Sequence, residues 1–364
     1  MNIRLAAVTT ATSAVVLALA ACSPATESSP TSTVSIAPLE PSPAVSAMEL
    51  PPAPEDPRPD VIWPLTGLDA TDASKKQLKR PALSIKIENT ADARPQENLD
   101  KADVVYEEYV EYGISRLIAV YQSQYPKSVG PIRSMRPMDR NIIGSLDGPL
   151  IFSGAQGRFI SDTASSGQEM ITQDRGDYGF YRTTDKAAPH NLHGYLSQFL
   201  EQTDATAPAQ QWDIAYPASE ATAQVEGEKA TLLDITMSPR ALPEWRWAKN
   251  AGVWKRYEDG TPHVTSDGTQ LSATNVVMLW VPVRYTSGSS TSSVPETLVS
   301  GESGKGYVAS GDKVVAITWS KKNRTAPFVL KTDDGEKVAL APGQTWFELV
   351  PSSGVNNATD IDIS

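Results

Sequence analysis

Apolar and polar side chains alternate over Ala82-Leu83-Ser84-Ile85-Lys86-Ile87-Glu88-Asn89, a period of two that predicts a strand. Residues 102–112 continue with valines, aromatics and glutamates, Gly113 supplies a turn, and residues 114–122 run back. This predicts an antiparallel hairpin. Alternation puts Val105, Glu107, Tyr109 and Glu111 on one face, and Val104, Tyr106, Glu108 and Val110 on the other. Each face mixes carboxylates with large apolar groups, so burying either face demands a partner for an acid. Arg116, Arg133 and Arg136 are the expected partners.

Past the hairpin, the pattern predicts a loop over 129–137, a short helix over 139–145 and a strand over 149–153. A small-residue turn at 154–157, a helix over 160–168, a strand over 178–182 and a helix over 191–201 follow. Residues 203–230, rich in Ala, Gln, Thr and Glu, read as a boundary. Short strands are then expected over 232–237, 252–257, 270–283, 305–310, 313–319, 328–332, 337–340 and 345–350, with Asp-Gly pairs at 259–260, 267–268 and 334–335 as hairpin turns. Trp245, Trp247, Trp254, Trp280, Trp319 and Trp346 fall in this half and are expected in its core ahead of a sugar-stacking platform. The fold class expected is α+β. An N-terminal α/β domain with a mixed sheet covers 61–203. A linker at 204–230 leads to a smaller β-rich C-terminal domain over 231–352, and 353–364 is a disordered tail.

The start of the chain adds a location. Arg4 precedes a short, alanine-rich apolar run that ends in Leu19-Ala20-Ala21-Cys22, which reads as a signal peptide over 1–21. The run is shorter than the roughly 20 residues a membrane span needs. Leu-Ala-Ala-Cys resembles the lipobox of bacterial lipoproteins. That implies cleavage before Cys22 and acylation of that residue by chains such as palmitate, with the protein held on the extracytoplasmic face of the cell membrane. Cys22 is the only cysteine, so no disulfide framework is expected. Residues 22–60, rich in Pro, Ser and Thr, read as a disordered tether. The net charge of −11 argues against nucleic acid and against polybasic docking on anionic lipid.

Against that acidic background, Val129-Gly130-Pro131-Ile132-Arg133-Ser134-Met135-Arg136-Pro137 places two guanidiniums and a hydroxyl in a stiff loop at a strand end. Guanidiniums offer paired hydrogen bonds to oxyanions, so the loop suits an anion. Residues 75–80 are a second basic run, read as a solvated helix face. His190 and His193 lie three apart, but no H-E-x-x-H pattern or second Cys/His cluster accompanies them. A capping or packing role is expected, with no metal and no cofactor. There is no G-x-S-x-G elbow, and no reaction is named by the motifs.

Several of these pieces match one family in order. Asn89 with Ala93-Arg94-Pro95-Gln96, Ala102-Asp103-Val104-Val105-Tyr106-Glu107, Gly113-Ile114-Ser115-Arg116, the arginine loop and Pro189-His190-Asn191-Leu192 resemble the YerB-type bacterial lipoproteins, a domain of unknown function. Gly260-Thr261-Pro262-His263, Asn275-Val276-Val277, Trp319 with Lys321, and Pro342-Gly343-Gln344-Thr345-Trp346 resemble the second domain of that family. The resemblance covers nearly all of 62–351. It implies a lipid-anchored two-domain protein without an established reaction. The residues it carries over are Arg94, Glu107, Arg116, Arg133, Ser134, Arg136, His190 and Asn191, while His193 stands where the family has an aromatic.

The leading expectation is a concave site in which Arg94, Arg116, Arg133 and Arg136, oriented by Glu107 and Glu111, hold the anionic group of a wall polymer, a lipid-linked precursor or an envelope protein. An alternative is an envelope hydrolase or transferase on a glycan or phosphodiester, with Glu107 or Glu111 as acid/base, His190 as proton carrier and Ser134 as nucleophile. A third is a structural, partner-binding lipoprotein in which these charges are an internal ion-pair network.

Overall fold

The alternating segment forms β1 (Leu83–Glu88), and the hairpin forms as β2 (Val104–Tyr109) and β3 (Ser115–Tyr121). These strands come from a computed structural model that describes residues 57–286 and 293–364. The expected signal peptide, Cys22 and the expected tether up to residue 56 lie outside the described residues. β3 is central in the trio: Glu88 of β1 and Glu108 of β2 both stand opposite Arg116. Tyr112 and Gly113 turn the hairpin with positive φ.

Every side chain of β1, β2 and β3 is buried, although the sequence reads as half-polar. The reason is that both faces are covered. On one face, Val104, Tyr106, Ile118 and Val120 pack with Met135, Met138, Ile142 and Phe159. The last four come from the arginine loop, from α2 (Asp139–Ile143) with its N-cap Met138, and from α3 (Gly157–Ser165). On the other face, Val105, Leu117 and Ala119 pack with Leu233, Trp245, Trp254 and Trp346. Polar residues of both parities are therefore enclosed, which is what makes their partners decisive.

The protein is mostly β, with few and short helices, rather than an even α+β mixture. The main sheet has twelve strands and is mixed. The strand Thr345–Ser353 lies between β2 and the long strand Asn275–Thr286, parallel to both. The N-terminal and C-terminal halves thus share one sheet. A six-stranded sheet, built on Leu232–Thr236, Pro243–Ala248 and Val253–Glu258, packs against the tryptophan-bearing face. Four of the six tryptophans, Trp245, Trp254, Trp319 and Trp346, are buried in the core. The described residues form one compact unit, and both large cores draw only on them.

Three expectations are corrected. The linker at 204–230 carries a strand (Asp213–Ile214), a helix (Thr222–Glu226) and a strand (Glu228–Lys229), with Trp212, Ala221, Ala223 and Ala230 buried. Its alanines fit close packing, not exposure. The tail expected to be disordered over 353–364 contains the strand Asp360–Ile363, paired with Leu232–Thr236. Ile361 and Ile363 alternate inward against the tryptophan core. The helix expected over 191–201 starts later: Leu192–Tyr195 is a strand and only Leu196–Leu200 is helical. Gly194 allows this, because a Cβ there would stand 2.3 Å from the Phe199 ring.

Candidate functional site

The arginine loop is built into the sheet. Where β1 loses its neighbour Leu150–Phe152, the loop takes its place. Ile132 bridges to Ile87, Arg133 N–H donates to the Lys86 carbonyl at 2.8 Å, and Ser153 N–H donates to the Arg133 carbonyl at 3.0 Å. Gly130 is required there, since a Cβ would stand 2.6 Å from His193 Cγ. Ile132 faces the tryptophan core, so Arg133 faces the other way, toward Glu88 and Arg116.

Three guanidiniums meet on that face. Arg116 donates from Nη1 to the Ser134 carbonyl at 2.8 Å. Arg136 donates to the Met135 carbonyl at 2.8 Å and more weakly to Ser134 at 3.4 Å, and its Nε reaches Glu111 at 2.6 Å. Arg133 Nε lies 3.2 Å from Glu88 Oε1. The same oxygen receives the Thr90 hydroxyl at 3.1 Å and His190 Nδ1 at 3.0 Å. Glu88 Oε2 and Arg116 Nε are buried without a hydrogen-bond partner. Two carboxylates, Glu88 and Glu111, thus face three guanidiniums; the adjoining group of Lys86, Glu108 and Asp139 leaves one positive charge in excess because burial, followed by the Asp139 charge, pushes the Glu108 carboxyl up to about 8. Burial, followed by the charges of Arg136 and Arg133, pulls the Arg116 guanidinium down to about 10. A pocket of about 300 Å³ opens beside Arg136, Ser134, Glu111, Gln156 and Phe159.

The other expected site residues go elsewhere. Arg94 pairs with Asp259 at 2.8 Å and lines a different pocket with Pro262 and His263. Asn191 clasps its own loop, donating to the Thr183 carbonyl and accepting from Arg182, each at 2.8 Å. Glu107 lies on the opposite face of the sheet from Arg116, as the parity requires. Its partner is none of the expected arginines but Arg256, 2.6 Å away and wholly buried. Arg256 also holds Glu258 at 2.6 Å and Glu348 at 2.9 Å, and its Nε donates to His263 at 3.1 Å. Burial, opposed by Arg256 and reinforced by Glu348, pushes the Glu107 carboxyl up to about 8. Sealed in this way, Glu107 has no access to a ligand or substrate, so it neither orients the arginines nor acts as a general acid. It ties β2 to the second sheet.

Glu108, one residue on, faces the arginine side but is also occupied. It pairs with Lys86, whose Nζ also reaches Asp139 at 3.0 Å, all three buried. Asp139 Oδ2 accepts from Arg136 N–H at 3.0 Å, so this triad fixes the loop from beneath. The two histidines are separated in role: His193 Nδ1 binds Glu97 at 2.7 Å, while His190 binds Glu88. Sequence reasoning missed Glu88 and Arg256. For Glu88 a signal existed, because alternation puts it on the face of Lys86, away from Ile85 and Ile87. Arg256 had no local signal, since its contacts are made across the fold.

The chain is 26% identical over 295 residues to "Putative lipoprotein YerB" of Bacillus subtilis (strain 168), a match covering 79% of this chain and 86% of that protein. The crystal structure of YerB protein from Bacillus subtilis superposes with a TM-score of 0.69 at 23% identity, over 83% of this chain and 99% of that one, which shows a shared fold. Two family models match in tandem: the N-terminal domain of the protein of unknown function DUF3048 over residues 65–209, and its C-terminal domain over 233–347. With both domains present in order along one continuous sheet, the chain belongs to the DUF3048 family.

Proposed function

We propose that this chain is a lipid-anchored protein on the extracytoplasmic face of the cell membrane, acylated at Cys22, which holds an anionic group of a ligand or envelope partner through Arg116, Arg133 and Arg136. The named relative supports the lipoprotein part. The observation that carries the anion site is the gathering of three guanidiniums against Glu88 and Glu111 on a chain whose net charge is −11, with Arg116 lowered first by burial and then by the charges of Arg136 and Arg133. A carboxylate or phosphate seated beside Arg133 and Arg136 relieves that repulsion and offers acceptors to guanidinium donors. Ser134 shapes the loop: its carbonyl receives two arginines. His190 holds Glu88 in place.

Thermal melting of residues 57–364 tests this, with wild type beside Arg133→Ala and Arg136→Ala, against inorganic phosphate, glycerol phosphate and citrate. An anion at 100 times its Kd stabilises the native state by about 2.7 kcal/mol, a shift of several degrees. Wild type is expected to shift with at least one of these anions, and both variants, folded, to lose the shift. The proposal fails if none of them moves wild type or if the variants respond equally.

A further inference from the structure

The exposed basic run at 75–80 borders a groove of about 810 Å³, larger than the pocket beside Arg136. Lys76, Lys79, Arg80 and Lys127 line it, with Tyr125 and Leu200 as apolar surface. No acidic residue lines it, although Asp72, Glu201 and Asp204 are exposed neighbours along the chain. The groove is shaped rather than merely charged. The Arg80 guanidinium lies over the Tyr125 ring, 4.8 Å from its centroid, and the Tyr125 hydroxyl donates to the Pro81 carbonyl at 2.5 Å. Ser74 caps the one-turn helix α1 (Lys75–Leu78), whose lysines are exposed.

We infer that this groove is a docking site for the headgroup of an anionic phospholipid in the membrane that carries the anchor. Whole-chain charge argues the other way, but charges in salt are felt over only about 8 Å, so a local basic groove attracts phosphate whatever the total. The rest of the acidic surface is repelled, which selects one orientation. The groove supplies both halves of the chemistry: four cationic side chains for the phosphate, and Tyr125 with Leu200 for the glycerol and upper acyl chain. The inference rests on the lipid anchoring proposed above, since the chain from Cys22 to Pro57 keeps the unit within roughly 120 Å of the bilayer. A lipid anchor with a basic patch makes a two-signal attachment.

The test uses residues 57–364, which lack the acylated cysteine, so failure of headgroup docking and failure of the anchoring reading are separate results. Flotation is measured with vesicles of phosphatidylcholine alone and of phosphatidylcholine with phosphatidylglycerol in equal parts. Wild type is expected to float only with phosphatidylglycerol. The triple variant K76Q/K79Q/K127Q, with an unchanged melting temperature, is expected to partition roughly 100-fold less, about fivefold for each charge removed. Arg133→Ala is expected to float as wild type does. The inference is overturned if wild type stays in solution, if the triple variant floats equally, or if Arg133→Ala abolishes flotation. It is also overturned if soluble glycerol phosphate, at no more than the concentration of the vesicle phosphatidylglycerol, competes wild type off the vesicles, because the groove then serves a free phosphate ester as well as it serves a bilayer.

Discussion

Replacing Glu107 by glutamine removes one carboxyl from a buried group in which a single guanidinium, Arg256, faces Glu107, Glu258 and Glu348. With all three acids ionised, the group would carry two uncompensated negative charges out of contact with water, so at least one acid keeps its proton. Burial and then the Glu348 charge, against the pull of Arg256, raise Glu107 from 4.5 to about 8, which keeps it protonated at neutral pH, and burial raises Glu258 as well. Between those values the native state binds one proton more than the unfolded chain. The stability that Glu107 contributes is therefore fully present below about pH 4.5 and is lost as the pH rises through about 8. The slope is about 1.4 kcal/mol per pH unit, on the order of 5 kcal/mol over the window. Glutamine keeps the shape and the neutral hydrogen bonding without the titration. Urea unfolding of residues 57–364, wild type and Glu107→Gln, at steps between about pH 5 and about pH 8 measures the difference. Glu108 and Asp103, also raised by burial, are common to both proteins and cancel. Wild-type stability is expected to fall relative to the variant by about 1.4 kcal/mol per unit. Parallel curves would refute the reasoning and mean that Arg256 keeps Glu107 ionised in the fold.

Two further outcomes are expected. Arg256→Ala strands Glu107, Glu258 and Glu348 and removes the guanidinium that sits 4.8 Å from the Trp346 ring centroid; a loss of about 3–5 kcal/mol in urea unfolding is expected, against an unchanged urea midpoint for the exposed Arg246→Ala. Gly130→Ala drives a methyl to 2.6 Å from His193 Cγ, so the loop or the ring must shift, at a cost of about 1–3 kcal/mol readable as a lower urea midpoint.

Much of the fold near the site was legible. The period-two pattern placed β1, β2 and β3 and put Glu107 and Glu108 on opposite faces, and the loop residues Arg133 and Arg136 do meet Arg116. What was not legible depends on what covers each face. A strand that alternates Lys86 and Glu88 with isoleucines reads as half-solvated, and only the packing of α2 and the loop over it turns those charges inward. Glu107 finds Arg256 because a second sheet, distant in sequence, lies over β2. The strand Pro243–Ala248 was missed for a similar reason: its proline and flanking charges mask the Trp245 that anchors it in the core. Arg94 was grouped with the other arginines by motif order alone, and motif order does not tell which side of a sheet a loop reaches.

The position of Thr345–Ser353 bears on how the chain is made. That strand is one of the last in sequence yet lies in the interior of the main sheet, with Val104 on one side and Asn275 on the other opposite Thr345. A chain growing from its N-terminus therefore carries β2 with an open edge until almost all of it has been made. Closure waits on a very non-local pairing, the kind that is slow to form. Acquisition of the native state is thus tied to completion of the polypeptide, and truncated products keep that edge exposed for proteases and chaperones to find.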